Sequence, residues 1–180
     1  MNLQDLKKPL GIEDIDFRIQ QINKGGYATI LAYKDARVDM NRLDDVVGQE
    51  NWHRDHKEVK GVVYCGIGIH VYGIGENHTT VVWKWDAGAE SFTEKQKGEA
   101  SDSFKRAGFN WGIGRELYDY PLIKVQLRAD EFELKDGKPK QKWSLNLKKW
   151  TWGSEFKDGV LVKLACKDER EKVRFNWKRQ

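Results

Sequence analysis

The sequence predicts an α+β fold in which a long helix packs on an antiparallel β-meander, a β-β-β-α core, followed by a C-terminal β-rich extension. Runs rich in β-forming residues occupy positions 27–34, 59–74 and 79–86. Residues 94–111 have the period of an amphipathic helix, and strand-like runs return after Pro121. We predict a single domain over residues 1–180, with the core at 11–120 and the extension at 121–180.

The N-terminal region combines short helices with one strand. Residues 11–21 suggest a short helix or turn, and Gly25-Gly26 then breaks the chain. Residues 27–34 (YATILAYK) are rich in β-formers and indicate a strand. Residues 40–47 predict a short helix that ends at Gly48, because glycine is favoured just after the last helical turn.

Two further strands complete the predicted meander. Residues 59–74 are glycine-rich, which indicates bulges, curvature or close backbone packing. Residues 76–78 are a candidate hairpin turn, after which residues 79–85 (TTVVWKW) return. With the strand at 27–34, these runs form the three antiparallel strands that the helix is expected to cover.

Residues 94–120 (EKQKGEASDSFKRAGFNWGIGRELYDY) predict a helix, a glycine-broken turn and a second short helix. At 100° per residue, the apolar residues of the first helix share one side: Ala100, Phe104, Ala107 and Trp111. The charged residues share the other: Lys95, Asp102, Lys105 and Arg106. A solvated charged face is the simpler interpretation of this period, and a cationic face for a polyanion is the functional one.

The extension is basic and aromatic. Strands are predicted at 122–128, 143–150, 160–166 and 172–177, with turns at Asp136-Gly137 and Asp158-Gly159. Alternation over 143–150 places Trp143, Leu145 and Leu147 on one face and lysines on the other. The simpler interpretation is a solvated strand face, and the alternative is a second polynucleotide contact.

Composition limits the classes of function. The chain has 180 residues and a net charge of +4, from 32 basic and 28 acidic residues, so a polynucleotide binder must concentrate its basic residues in a groove. Mean hydropathy is −0.77, and neither a bilayer-spanning run nor a secretory signal is visible, so we expect a cytoplasmic protein. Cys65 and Cys166 fit buried free thiols, although a disulfide between them stays open.

Enzyme signatures are weak. The HRDH run at 53–56 is expected to be a polar loop, and no glycine precedes a Lys-Ser or Lys-Thr pair as a Walker-type loop requires. The best enzyme alternative is a metal-dependent nuclease, in which carboxylates hold Mg²⁺ and a lysine orients water. Its residues would be Asp130, Glu131, Glu133 and Lys135.

Binding to a polynucleotide instead requires Lys and Arg on ordered elements, because phosphate neutralisation dominates such affinity. Six residues are candidates for this role: Arg37, Lys95, Lys97, Lys105, Arg106 and Arg115. Each by itself fits an ordinary surface position, whereas together they make a basic groove plausible.

Three blocks occur in an order that resembles one known family. They are residues 25–52, the β-rich stretch 61–86, and residues 94–119 with a Lys-Arg-Ala step before a glycine turn and a Leu-Tyr pair. The chain resembles the Rad52-type single-strand annealing proteins, in particular the bacteriophage recombinase members, over roughly residues 11–120. The resemblance implies a protein of homologous recombination and DNA repair that is not an enzyme and uses neither ATP nor any cofactor or metal.

The resemblance also implies an oligomeric ring that holds single-stranded DNA in a basic groove, backbone inward and bases outward. Arg37, Lys105 and Arg106 match groove positions of the family. The chain departs from the pattern where Gln49 replaces an aromatic residue, Phe109 replaces an arginine, and Asp86 or Gly88 replaces a lysine of an outer duplex-holding site. A nuclease or a single-strand-binding protein are possible partners, and the location would be the host cytoplasm if the protein is phage-encoded.

Overall fold

The computed structural model describes residues 2–72, 79–88 and 95–180, with residues 95–97 as backbone only. The chain forms two compact units: Met1–Pro9 with Asp35–Arg115 (unit 1), and Leu10–Lys34 with Glu116–Gln180 (unit 2). The predicted α+β class is confirmed, whereas the single-domain division into 11–120 and 121–180 stays a prediction. In chain order the elements are β1 (Asp16–Ile22), β2 (Tyr27–Tyr33), α1 (Ala36–Val47), β3 (Trp52–Val59), β4 (Val62–Tyr72), β5 (Thr79–Ala87), α2 (Lys95–Trp111), β6 (Ile123–Gln126), β7 (Phe132–Lys135), β8 (Lys138–Gln141), β9 (Thr151–Lys157), β10 (Val160–Lys167) and β11 (Val173–Lys178).

Unit 1 is a β-β-β-α arrangement. Strands β3, β4 and β5 form an antiparallel meander in that order, and α2 packs on β4 and β5. The β3–β4 turn is Lys60-Gly61, whose positive φ values of 53° and 78° suit the right-handed twist of a two-residue hairpin. The side chains buried between the helix and the sheet include Ile67 and Ile69 of β4 and Phe104 of α2. Among the described residues, no helix is both long and apolar enough to cross a bilayer.

Helix α1 ends at Gly48, as its sequence predicts, but it begins at Ala36 and not at residue 40 as expected. The Asp35 carboxylate accepts a hydrogen bond from the Arg37 N–H at 2.9 Å and so caps the N-terminus. Gly48 ends the helix at φ 87°, which a residue with a side chain adopts only with strain, and its N–H donates to Asp44 O. Leu43 and Val47 are buried on the inner side of the helix.

Unit 2 holds two three-stranded antiparallel sheets, ordered β1-β2-β6 and β9-β10-β11, and the hairpin β7–β8. One apolar cluster joins residues from both sheets, including Ile30, Val125, Leu161 and Leu164. The predicted strands at 122–128, 160–166 and 172–177 and the two Asp-Gly turns are confirmed.

A buried ion-pair cluster lies at the base of the β7–β8 hairpin. Asp168 Oδ2 accepts from Arg128 Nη1 at 2.6 Å and from Arg174 Nη1 at 3.1 Å. Glu131 Oε2 accepts from Arg174 Nη2 at 2.8 Å, and Glu131 Oε1 forms an ion pair with Arg128 Nη2 at 2.7 Å. Burial by itself raises the pKa of both carboxyl groups, but these hydrogen bonds and charges outweigh it and hold each pKa below its ordinary value. Both acids therefore stay ionised inside the unit.

The predicted membership of the meander was wrong. The strand near 27–34 lies in unit 2 between β1 and β6, and the first strand of the meander is β3, which contains the HRDH run expected to be a loop. The expected helix at 11–21 is also wrong beyond a 3₁₀ turn at Ile12–Asp14, since residues 16–22 pair with β2. Pairing across the sheet outweighs local propensity in such polar segments. The candidate turn at 76–78 lies outside the described residues.

The strand predicted at 143–150 is wrong as well. The segment turns, and the Asn146 side chain accepts from the Lys148 N–H to cap a 3₁₀ turn at Leu147–Lys149. Leu145 and Leu147 are buried, as the alternation predicts, but Trp143 is 96% exposed. The asparagine offers the backbone a local hydrogen bond that competes with strand pairing.

Cys65 and Cys166 are free and buried, each in a different unit. Burial raises the pKa of the Cys65 thiol to about 11 and that of Cys166 to about 12. The interpretation as buried thiols is confirmed, since a neutral thiol behaves as a small apolar side chain.

Candidate nucleic-acid interface

Helix α2 turns its apolar residues to the sheet, and its basic residues lie on another side. Phe104, Ala107 and Trp111 are buried, and Trp111 Nε1 donates to Ile67 O in β4 at 3.0 Å. Lys105 is half-buried and Arg106 is exposed. The period of the sequence therefore predicts correctly that Phe104, Ala107 and Trp111 pack and that Arg106 is exposed, whereas Lys105 is only partly exposed.

Arg106 contacts strand β5 through an ion pair. Its Nε lies 3.3 Å from Asp86 Oδ1, with the arginine side chain 44% exposed. Asn110, one turn along α2, donates to Trp85 O at 3.0 Å and to Asp86 Oδ2 at 3.3 Å. Because an exposed pair contributes only about 0–1 kcal/mol, Arg106 can exchange this carboxylate for another anion at little cost.

Arg37 lies in the first turn of α1 beside the capping carboxylate. Asp35 Oδ1 accepts from the Arg37 N–H and from its Nε, both at 2.9 Å. The hydrogen bond from the guanidinium lowers the pKa of Asp35, the backbone N–H adds to this, and the positive charges of Arg37 and Lys105 act in the same direction. The charge of Lys105 therefore acts on the carboxylate that pairs with Arg37.

Two cations lie at the C-terminal end of α2. Arg115 donates from Nε and Nη2 to Phe109 O at 3.1 and 2.7 Å. Lys84 Nζ donates to Asn110 O at 2.9 Å and lies 4.3 Å from the centre of the Trp111 ring. Cations at this end satisfy the last carbonyl groups and complement the helix dipole. Arg115 therefore also holds the helix end.

Lys84 was not predicted to belong to the site. Its burial lowers its pKa, and the charges of Arg115 and Lys7 act in the same direction. Nothing in the run TTVVWKW signals this role, because it depends on which β5 residues face the helix. Cross-strand register decides that, and β4 sets it by pairing Ile67 with Lys84.

The order of elements agrees with a family of known function. The model of the family described as Rad52/22 family double-strand break repair protein matches residues 2–135, about three-quarters of the chain. The chain belongs to this family. In direct comparison with curated proteins, no sequence matches. Membership implies a role in DNA recombination and repair, with single-stranded DNA as the ligand and strand annealing as the family's activity.

The Rad52/22 match contains all six predicted site residues, of which the structure describes four in full. Arg37 lies in the first turn of α1, Lys105 and Arg106 lie in the second half of α2, and Arg115 lies at the end of α2. Lys95 and Lys97 belong to the first turn of α2, but their side chains lie outside the described residues.

The outer face of the Rad52/22 sheet, opposite α2, carries aromatic rings that were not predicted. The indoles of Trp83 and Trp85 stack with centroids 5.5 Å apart, and Lys57 Nζ lies 3.6 Å from the Trp85 ring centre. A Cβ at Gly66 or Gly68 would meet these rings at 2.6 and 2.7 Å. The two glycines therefore let the rings lie against the strand backbone, which is the close packing that their spacing suggested.

The carboxylates of the nuclease alternative are mostly committed to other partners. Both oxygens of Glu131 accept hydrogen bonds from arginines, and Asp130 lies 3.5 Å from Arg128 Nε. Glu133 and Lys135 are exposed on β7. Within the described residues, no three His, Cys, Asp or Glu side chains form a group that could hold a metal ion. Nothing in this geometry favours the nuclease over the family's function.

Proposed function

We propose that the protein is an ATP-independent recombinase that binds single-stranded DNA and anneals complementary strands. It does so as an oligomeric ring whose subunits together line a basic groove, in the cytoplasm, or in the host cytoplasm if a phage encodes it. The observation that carries the proposal is membership of the Rad52/22 family, and it is supported by Arg37, Lys105 and Arg106, three basic side chains of unit 1 that are at least partly exposed.

The ion pairs of Arg37 and Arg106 suit reversible binding of phosphate. Asp35 and Asp86 hold Arg37 and Arg106 in exposed ion pairs, with the Arg37 side chain 82% exposed. Such pairs are weak, so a phosphate can replace either carboxylate. Carboxylates beside these cations, including Asp102 on the same side of α2, leave little net positive charge, which gives one subunit little affinity. Many subunits along one strand multiply that affinity, which is why the proposal includes a ring.

Contacts to phosphate also explain how annealing proceeds without a chemical step. Lys and Arg that grip the backbone fix the position of the strand but carry no sequence information. The base edges stay free to pair with a complement. Arg115, Lys95 and Lys97 are proposed to extend the groove along α2. No nucleotide is consumed, because base pairing itself drives the reaction.

The test is fluorescence-detected annealing of two complementary oligonucleotides, without nucleotide or metal, over a range of salt. We expect acceleration that fades as salt rises, since bound phosphates release counterions. The double variant Lys105→Ala/Arg106→Ala should lose this acceleration and its DNA binding while keeping its helical content and assembly size. A control, Lys157→Ala/Lys178→Ala, removes two exposed lysines from the β9–β11 sheet and should behave as wild type.

Two outcomes contradict the proposal. If Lys105→Ala/Arg106→Ala binds DNA as well as wild type does, the assignment of the groove residues is wrong. The second outcome is that the protein fails to accelerate annealing and instead degrades the strands only when Mg²⁺ is added. If Glu133→Ala abolishes that degradation, the protein is a nuclease and not an annealing protein.

A further inference from the structure

The net positive charge of the chain is concentrated in one short segment of unit 2. Residues 132–149 contain six lysines and two acidic residues, an excess of four, which equals the net charge of the whole chain. Positive and negative residues therefore balance over the rest of the sequence. The segment comprises the β7–β8 hairpin, the turn after it and the 3₁₀ turn at Leu147–Lys149.

The hairpin arranges part of this charge on one face. Register places Glu133 opposite Lys140, and Lys135 opposite Lys138, so three lysines share a face with one glutamate. Like charges directly opposite each other destabilise a strand pair. Among the described residues, no carboxylate lies within ion-pair distance of these three lysines. Their charge is thus available to an external anion.

A single indole projects beside this face. Trp143 is 96% exposed, yet the backbone around it is well fixed. The Lys142 N–H donates to Glu131 O at 3.0 Å, the Leu145 N–H donates to Lys142 O at 3.1 Å, and Ser144 Oγ donates to Asp130 O at 2.6 Å. A large aromatic side chain is therefore exposed to solvent on a turn whose backbone is fixed by hydrogen bonds.

The core of unit 2 anchors both the hairpin and the turn. Glu131, whose carbonyl receives the Lys142 N–H, is held by Arg128 and Arg174 in the buried ion-pair cluster. The Phe132 ring packs so close to Gly26 that a Cβ there would lie 2.7 Å away. A surface fixed in this way loses little conformational entropy when it binds a ligand.

We propose that this hairpin and turn form a second contact for single-stranded DNA, separate from the groove residues of unit 1. A base stacks on the Trp143 indole while phosphates lie against Lys135, Lys138 and Lys140. Aromatic rings beside lysines suit single strands because every unpaired base offers a π-face, whereas the bases of a duplex are already stacked. Apart from residues 132–135, the segment lies beyond the Rad52/22 match. The inference rests on the proposed function only for the nature of the ligand.

The first test measures binding of the full-length protein to a fluorescent oligothymidine by anisotropy. Trp143→Ala should weaken binding by about 5- to 150-fold, the range found when one stacked base loses its aromatic partner. Trp143→Phe should retain most of the affinity. Leu134→Ala is the matched control, because this residue is 60% exposed on the other face of the same hairpin. Equal binding by Trp143→Ala and wild type overturns the proposal.

The second test measures the contribution of the lysines to DNA binding from the salt dependence of the affinity. Lys138→Gln/Lys140→Gln should lower the slope of log affinity against log salt by about 1.4, since each phosphate contact to a single strand contributes about 0.7. Lys157→Gln/Lys178→Gln removes the same charge elsewhere in unit 2 and should leave the slope unchanged. If the slope falls equally for both double variants, DNA binding depends only on the overall charge of the protein, and the proposed site is refuted.

Photocrosslinking then separates this proposal from the groove. An oligonucleotide with 5-iodouracil should crosslink to Trp143, as located by mass spectrometry, and light scattering should show that Trp143→Ala keeps its assembly size. Loss of assembly in that variant, without a crosslink, would mean that the indole contacts a second copy of the chain and would overturn the proposal. If Lys105→Ala/Arg106→Ala abolishes binding but Trp143→Ala binds as wild type does, only the hairpin contact is refuted. If Trp143→Ala weakens binding as expected but Lys105→Ala/Arg106→Ala binds as wild type does, only the groove is refuted.

Discussion

The buried carboxylate Asp168 offers a direct test of what stabilises unit 2. Its Oδ2 accepts from Arg128 and Arg174, and its Oδ1 accepts from the backbone N–H groups of Arg170 and Lys172 at 2.9 and 3.1 Å. Asp168→Asn keeps the shape but removes the charge, which leaves two guanidinium groups to share Glu131. Removing one partner of a buried ion pair costs about 3–5 kcal/mol. We expect the free energy of unfolding of unit 2 to fall by that amount at pH 7.

The pH dependence of the same variant sharpens this prediction. Because the folded-state pKa of Asp168 is lowered, its stabilisation is fully present above the unfolded-state pKa of about 3.9 and is lost as pH falls below it. The difference between wild type and Asp168→Asn should therefore be constant from pH 8 to about pH 5 and should shrink in more acidic solution. The pKa of Glu131 is also lowered, so both proteins lose additional stability as the pH falls.

Urea unfolding, monitored by hydrogen exchange of the β10 and β11 amides, measures the change in stability within unit 2. Asp168→Asn combined with Arg174→Met should regain part of the lost stability, since it removes the uncompensated charge as well. A loss below 1 kcal/mol, or a difference that does not change between pH 7 and pH 3, would refute the assignment of this cluster as a charged, buried anchor.

Two further predictions concern unit 1 and the thiols. Asp86→Asn should tighten binding of single-stranded DNA about 2- to 5-fold, because it frees Arg106 from an exposed pair of at most about 1 kcal/mol; weaker binding would place Asp86 among the groups that position the strand. Cys65 and Cys166 should resist iodoacetamide in the folded protein at pH 8, since the thiolate is the reactive form and a thiol with a pKa of about 11 is roughly 0.1% ionised; rapid native labelling, measured by mass spectrometry, would contradict their burial.

Elements with a strong local signal could be predicted from the sequence. Helix α2 has an apolar side at a period of 3.6, and Phe104 and Trp111 are buried as that period requires. Helix α1 ends at Gly48, and the Asp136-Gly137 turn adopts the positive φ values that its residues favour. In each case a few neighbouring residues determine the outcome.

The partners of strands could not be predicted in the same way. The run HRDH has no apolar alternation, and only pairing with β4 from Trp52–Ile69 to Val59–Val62 makes it a strand. The strand at 27–33 has a good local signal, but its neighbours are β1 and β6, the latter about a hundred residues away in sequence. Backbone groups of any strand can pair with any other, so the choice depends on the packing of the whole sheet.

The same distinction between local and tertiary information applies to the candidate site. The sequence by itself determined that Lys105 and Arg106 lie on the polar side of α2, because helical geometry fixes the side of every residue. Only the tertiary structure decided that Lys105 acts on the carboxylate that holds Arg37, that Arg106 pairs with Asp86, and that Lys84 joins Arg115 at the helix end. These contacts join residues distant in sequence, and their distances depend on strand register and helix packing, which no local pattern encodes.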